Sequence, residues 1–158
     1  MKILNYFYFP AVQHQVQNKT IIIILLAAIV GLADSVFLAV EHIMGVVPPC
    51  TIKGCDYVLT SQYASVGPIP TALFGVLYYL AILLLIAWFV DRRNAKSIVL
   101  LKKLVAIGAI ITIGLIILQW LVIQAWCQYC LLSVLCTFVI AFVIFRTPAG
   151  GQESPESH

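Results

Sequence analysis

Charge is scarce in this chain. Of 158 residues, nine are Lys or Arg and six are Asp or Glu, while 63% are hydrophobic and mean hydropathy is +1.07. A soluble domain of this size has too little interior to hide so much apolar side chain. So few cations leave no basic stripe for nucleic acid, and no nucleic-acid partner is expected. The opening nineteen residues, MKILNYFYFPAVQHQVQNK, lack the compact apolar centre and small-residue cleavage site of a secretory signal. They read as a cytoplasmic or interfacial lead-in over residues 1–20, with Tyr and Phe suited to the headgroup zone. No internal repeat is visible. The segment 147–158 (TPAGGQESPESH) lacks apolar periodicity and reads as a disordered cytoplasmic tail.

What is present is a set of long uncharged runs in residues 21–146. Runs of about 18 or more apolar residues read as membrane spans. The first covers about Ile21–His42; the second covers about Pro70–Val90 and stops at the cluster DRRNAK. From Leu104 to Phe145, 42 residues pass without a charge. As one helix they would reach roughly 63 Å, about twice the hydrocarbon thickness. The run must therefore fold back, and Gln124–Gln128 is its polar-containing middle. The expected fold is all-α, a four-helix membrane bundle.

The basic residues set its orientation. Lys2, Lys19, Arg92, Arg93, Lys96, Lys102, Lys103 and Arg146 fall on one side of a four-span arrangement, and only Lys53 on the other. Positive charge collects on the cytoplasmic side. Both termini are thus expected in the cytoplasm, with the 43–69 loop and the turn around Cys127 facing outward.

Four of the five cysteines form two close pairs. Cys127 and Cys130 (WCQYC) open the last apolar run, and Cys50 and Cys55 (CTIKGC) lie in the polar loop. Residues three apart at a helix start share a face, and a helix N-terminus favours the thiolate, which is the nucleophile. Cys50 and Cys55 bound a loop short enough to close on itself, yet free to swing. Pro48, Pro49, Gly67, Pro68 and Pro70 punctuate the loop. On spacing alone, two structural disulfides also fit, as does a four-cysteine zinc site, though an outward location argues against metal. Unrelated buried cysteines would account for Cys130 but not for the pairing. Cys136, a single thiol deep in the last run, takes that packing role. No metal is expected.

The string CDYVLTSQYASVGPIPTALFGVLYY, the later QWLVIQAWCQYC and the first-span GLADSVFLAVEH closely resemble the bacterial branch of the vitamin K epoxide reductase family. The likeness covers about Gly31–Phe145. A functional analogue is the bacterial four-helix quinone reductase that oxidises periplasmic thiol oxidases. In that protein the CxxC lies in the first outer loop, whereas here it opens the last helix.

The resemblance implies a four-helix bundle around a membrane quinone, ubiquinone or menaquinone, in the cell inner membrane. An outward-facing cysteine loop and capping helix would cover it. It implies Cys127–Cys130 as the active-site disulfide, with Cys130 beside the quinone, and Cys50–Cys55 as the shuttle disulfide. A thioredoxin-like thiol oxidase would attack Cys50, and the freed Cys55 would then attack Cys127. Some bacterial members carry that partner as a fused C-terminal domain; here a separate polypeptide is expected. Asp56, Ser61 and Gln119 match polar positions expected to contact the quinone. Asp34, an acid within the first span, has no role assigned by the resemblance; an intramembrane carboxyl there is expected either to make a polar contact between helices or to deliver a proton to the reduced quinone. Glu41 and His42 read as interfacial. Animal members place an asparagine and a tyrosine against the vitamin K head group where this chain has Thr71 and Val134, so quinone reduction is expected rather than epoxide reduction.

Overall fold

The computed structural model describes residues 4–92 and 95–146; the tail expected to be disordered lies outside them. Four helices among the described residues are long and apolar enough to cross a membrane: Lys19–Met44, Thr71–Asp91, Ser97–Ile123 and Gln128–Arg146. They belong to α1 (Leu4–Met44), α3 (Thr71–Arg92), α4 (Ala95–Ile117) with a π-helical extension (Leu118–Ile123), and α5 (Gln128–Arg146). The expected lead-in is helical from Leu4 and runs into the first span without a break.

The bundle is a multi-pass membrane fold turned inside out relative to a soluble one. Its outer surface carries Leu26, Leu77, Leu84, Ile110 and Leu121, each more than half exposed. Such a surface suits lipid and would drive aggregation in water. Its core is narrow: Ile24 and Ala28 of α1 meet Tyr79, Ile82 and Ile86 of α3, Leu101 and Val105 of α4, and Ile140 and Ile144 of α5. Small residues let the helices approach. A Cβ on Gly31 would sit 2.3 Å from the Tyr79 ring, and one on Gly108 would sit 2.3 Å from the Tyr78 ring. Both tyrosines are held in the bundle by these notches, in the small-residue mode of membrane helix packing.

Antiparallel spans bring Met44, Thr71, Ile123 and Gln128 to one end of the bundle. Over that end lies the 45–70 connection. It contains α2 (Cys55–Thr60) and a two-residue hairpin, β1 (Ser65–Val66) with β2 (Ile69–Pro70), paired antiparallel. Residues 124–127 form the fold-back between the third and fourth spans. Gln124 takes a left-handed conformation (φ 54°) that breaks the helix. The π-helical turn before it was not foreseen, since hydropathy does not distinguish π from α winding.

Candidate functional site

The short helix α2 explains why the two cysteine pairs meet. Gly54, at φ 90°, turns the chain so that Cys55 can begin α2. A Cβ at Gly54 would lie 3.0 Å from that of Ala125 in the fold-back turn, so the loop rests on that turn. Cys55 and Val58, three apart, take the inner face of α2 and are buried. Together with Cys127 they form a closed apolar cluster, and Cys50 and Cys130 pack against it. Cys55 and Cys127 are both fully buried. Four cysteines from two distant segments, 50–55 and 127–130, thus converge at one end of the bundle.

Polar clamps hold this arrangement. The Thr51 amide donates to Gln128 Oε1 at 3.0 Å, and the Thr51 hydroxyl donates to the same oxygen. Gln128 Nε2 and the Tyr129 hydroxyl both donate to the Pro49 carbonyl, at 3.4 and 2.9 Å. The start of α5 therefore grips the cysteine loop on both sides of Cys50.

Cys50 and Cys55 form a disulfide with Cα atoms 5.8 Å apart, while Cys127 and Cys130 are unbonded thiols. Cys127 occupies the cap position of α5. Its carbonyl accepts the Leu131 amide at 3.0 Å, and its Sγ accepts the Cys130 amide at 3.3 Å. The Cys130 thiol also donates to it. That bond, helped by backbone amides and opposed by burial, holds Cys127 below the ordinary thiol range.

Beneath the cysteines, a cavity of about 610 Å³ is walled by all four spans and the cap, within the usual size range for a small-molecule site. Cys130 is the one cysteine in its wall among the described residues. The wall is mostly apolar, with polar groups at intervals: Asp34 and Glu41 from α1, Ser61 after α2, Thr71 from α3, Gln119 from the π turn.

Of the three expected quinone contacts, Ser61 and Gln119 line the cavity and Asp56 does not. The inner face of α2 is taken by Cys55 and Val58, so Asp56 turns outward and is exposed. The Ser61 hydroxyl donates to the Val58 carbonyl at 2.7 Å, closing α2. Gln119 is buried, and its Oε1 accepts the Cys127 amide at 3.2 Å. Its backbone carbonyl accepts the Ala125 amide at 3.3 Å. Gln119 thus braces the turn that presents Cys127. Thr71 and Val134, the two departures from the animal pattern, are both in the wall, and the Thr71 hydroxyl is committed to the Tyr63 carbonyl at 3.1 Å. Cys136 sits in the apolar core, in keeping with a packing role.

Sequence reasoning missed one group of wall residues. The Tyr79 hydroxyl donates to the Ser133 carbonyl at 2.7 Å and lies 3.0 Å from the hydroxyls of both Ser133 and Thr137. Ser133 and Thr137 lie one helical turn apart on α5, which could have marked a polar stripe in an apolar span. Glu41 and His42, read as interfacial, also line the cavity. No group of residues able to hold a metal ion occurs among the described residues.

A sequence model described as the vitamin K epoxide reductase family matches residues 22–145, a stretch that reaches from within the first span to the next-to-last residue of the fourth and includes both cysteine pairs. No curated protein matches the chain.

Proposed function

Because this chain belongs to the vitamin K epoxide reductase family of oxidoreductases, we propose that it oxidises thiols of a thioredoxin-like partner and passes their electrons to a membrane quinone. The observation that carries this reading is the convergence of the four cysteines, with Cys130 alone of them in the cavity wall.

The relay needs only thiol–disulfide exchange and no metal. A partner dithiol opens Cys50–Cys55 by attack on Cys50. The Cys55 thiolate attacks Cys127 and expels the Cys130 thiolate. The partner's second thiol attacks the partner sulfur bonded to Cys50, so that the partner leaves as a disulfide and the Cys50 thiolate is freed. Cys50 then attacks Cys55 and expels the Cys127 thiolate, leaving Cys50–Cys55 closed and Cys127/Cys130 reduced. The electron pair of the Cys127/Cys130 dithiol next passes to the quinone as the disulfide re-forms. Its two protons equal the two on the quinol. A depressed Cys127 favours this closure, since the attacking sulfur must be the thiolate.

Quinone is favoured over quinone epoxide because Val134 offers no hydrogen bond and the Thr71 hydroxyl is already committed. The test is turnover of the purified protein with a reduced thioredoxin-like donor and, in parallel, ubiquinone, menaquinone and a quinone epoxide. Quinone reduction should exceed epoxide reduction by at least about tenfold, a difference of roughly 1.4 kcal/mol at the transition state. Comparable turnover of both would defeat this choice of substrate.

Lys102 and Lys103 in the first half of α4 and Arg146 at the end of α5 lie toward the end of the bundle opposite the cysteines. This supports an inner-membrane protein with the cysteine end outside and both termini inside. Membrane-impermeant thiol reagents added from outside should label Cys50 or Cys55 after mild reduction. A reporter fused after Arg146 should stay cytoplasmic. A reporter on the outer face would reverse the orientation.

A further inference from the structure

The first span carries a carboxyl group that the relay does not use. Asp34 is 7% exposed and lies in the cavity wall; its Oδ2 is buried with no hydrogen-bond partner among the described residues. An unpartnered carboxyl at such a depth is expensive to keep unless it has work to do. Its position is informative. Asp34, Leu38 and Glu41 recur at helical spacing and all line the cavity. Asp34 sits about 10 Å deeper than Glu41 along α1. The buried Oε2 of Glu41 is also unpartnered. One wall of the cavity therefore presents a stripe of acids leading from the cysteine end inward, facing the same space as Cys130.

Reducing a quinone inside apolar walls raises a problem that sulfur chemistry leaves open. As electrons arrive, negative charge grows on the ring oxygens, and no Lys or Arg lines the cavity among the described residues. An enclosed oxyanion without a cation needs a proton delivered to it. We propose that Asp34 is the general acid that protonates the quinone during its reduction. The assignment rests on the quinone-reducing reading above. In the step, the Cys127/Cys130 dithiol closes to a disulfide and its electron pair passes to the quinone. Asp34 gives its proton to one ring oxygen and becomes a carboxylate, then regains a proton from those the two thiols release. Two protons leave sulfur and two end on the quinol, so Asp34 is unchanged over the cycle. Glu41 and His42 also line the cavity, nearer its cysteine end; the phenols of Tyr78 and Tyr79 are intrinsically weaker acids than a carboxyl, and the Tyr79 hydroxyl is committed to the Ser133 carbonyl.

The test compares Asp34→Asn with Asp34→Glu in the full-length protein in detergent or proteoliposomes, with a soluble ubiquinone analogue as acceptor. Asn keeps the size and hydrogen bonding of Asp but has no acidic proton. Asp34→Asn should lower kcat by about 100-fold with KM for the quinone within about threefold, the scale of losing a general acid. Asp34→Glu, which keeps the acid, should recover at least about a tenth of wild-type kcat. Reduction of the Cys127–Cys130 disulfide by a small dithiol, followed by thiol trapping without quinone, should proceed at the wild-type rate in both variants. The proposal is overturned if Asp34→Asn turns over within about threefold of wild type. It is equally overturned if Glu fails as fully as Asn, if only KM changes, or if the thiol step slows with the quinone step. A wild-type protein that exchanges thiols but reduces no quinone would instead remove the reading on which the proposal stands, and the two failures are thereby told apart.

Discussion

Cys130→Ser is expected to abolish quinone reduction with every thiol donor, by at least about 10³-fold, the scale of removing an essential nucleophile. Cys130 is the only cysteine in the cavity wall among the described residues. It supplies one of the two sulfurs whose joining releases the electron pair. A serine hydroxyl neither forms a disulfide nor gives up electrons at biological potentials, so no donor can bypass the loss. The fold should survive: Cys130 is half-buried, and the cap of α5 depends on its backbone amide rather than its sulfur. The measurement is quinone absorbance against time, first with a protein donor and then with a small dithiol. Residual turnover above about a tenth of wild type with either donor would show that the electrons leave by another sulfur.

Cys50→Ser and Cys55→Ser should separate the two donors instead. With a protein donor, turnover should fall about 100-fold or more, because the Cys127 sulfur is fully buried beneath α2 and a protein thiol has no path to it. With a small membrane-permeant dithiol, a substantial part of wild-type activity should remain, since such a molecule can reach a disulfide at the mouth of a helix. The two variants need not be equal. Cys55 belongs to the buried cluster, so its loss also disturbs packing by about 1 kcal/mol. Cys50 sits at the edge of that cluster, and Cys50→Ser is the cleaner probe of access. If both variants keep full activity with the protein donor, the loop pair is a structural bridge and the relay is wrong.

These predictions rely on features of unequal legibility. The spans were readable because lipid demands long uncharged runs, and the fold-back near Gln124–Gln128 followed from the length of the uncharged segment alone. The cysteine pairs stood out by spacing. Polar contacts were harder. Asp56 follows Cys55 directly and matched a polar position of the resembled family, yet it faces away from the cavity because the helical phase of α2 is set by Cys55 and Val58. Gln119 was singled out for a quinone, and one of its side-chain bonds is to the Cys127 amide. Tyr79, Ser133 and Thr137 went unnoticed because each is unremarkable in its own segment and significant only across two helices.

What the amino-acid sequence determined by itself is the membrane class, the number of spans and the positions of the paired thiols. Each depends on local composition or on spacing within one segment, and these persist whatever the helices do next. Only the tertiary structure decided which sulfur faces the cavity, which is buried under the cap, and which carboxyl oxygens are left without a partner. Those outcomes depend on the rotation of each helix about its axis. Rotation is fixed by contacts between distant segments, such as Gly31 against Tyr79, Gly54 against Ala125 and Thr51 against Gln128. In lipid the apolar faces of a span are energetically alike, so hydropathy cannot set that rotation, and small residues and polar bonds must do so.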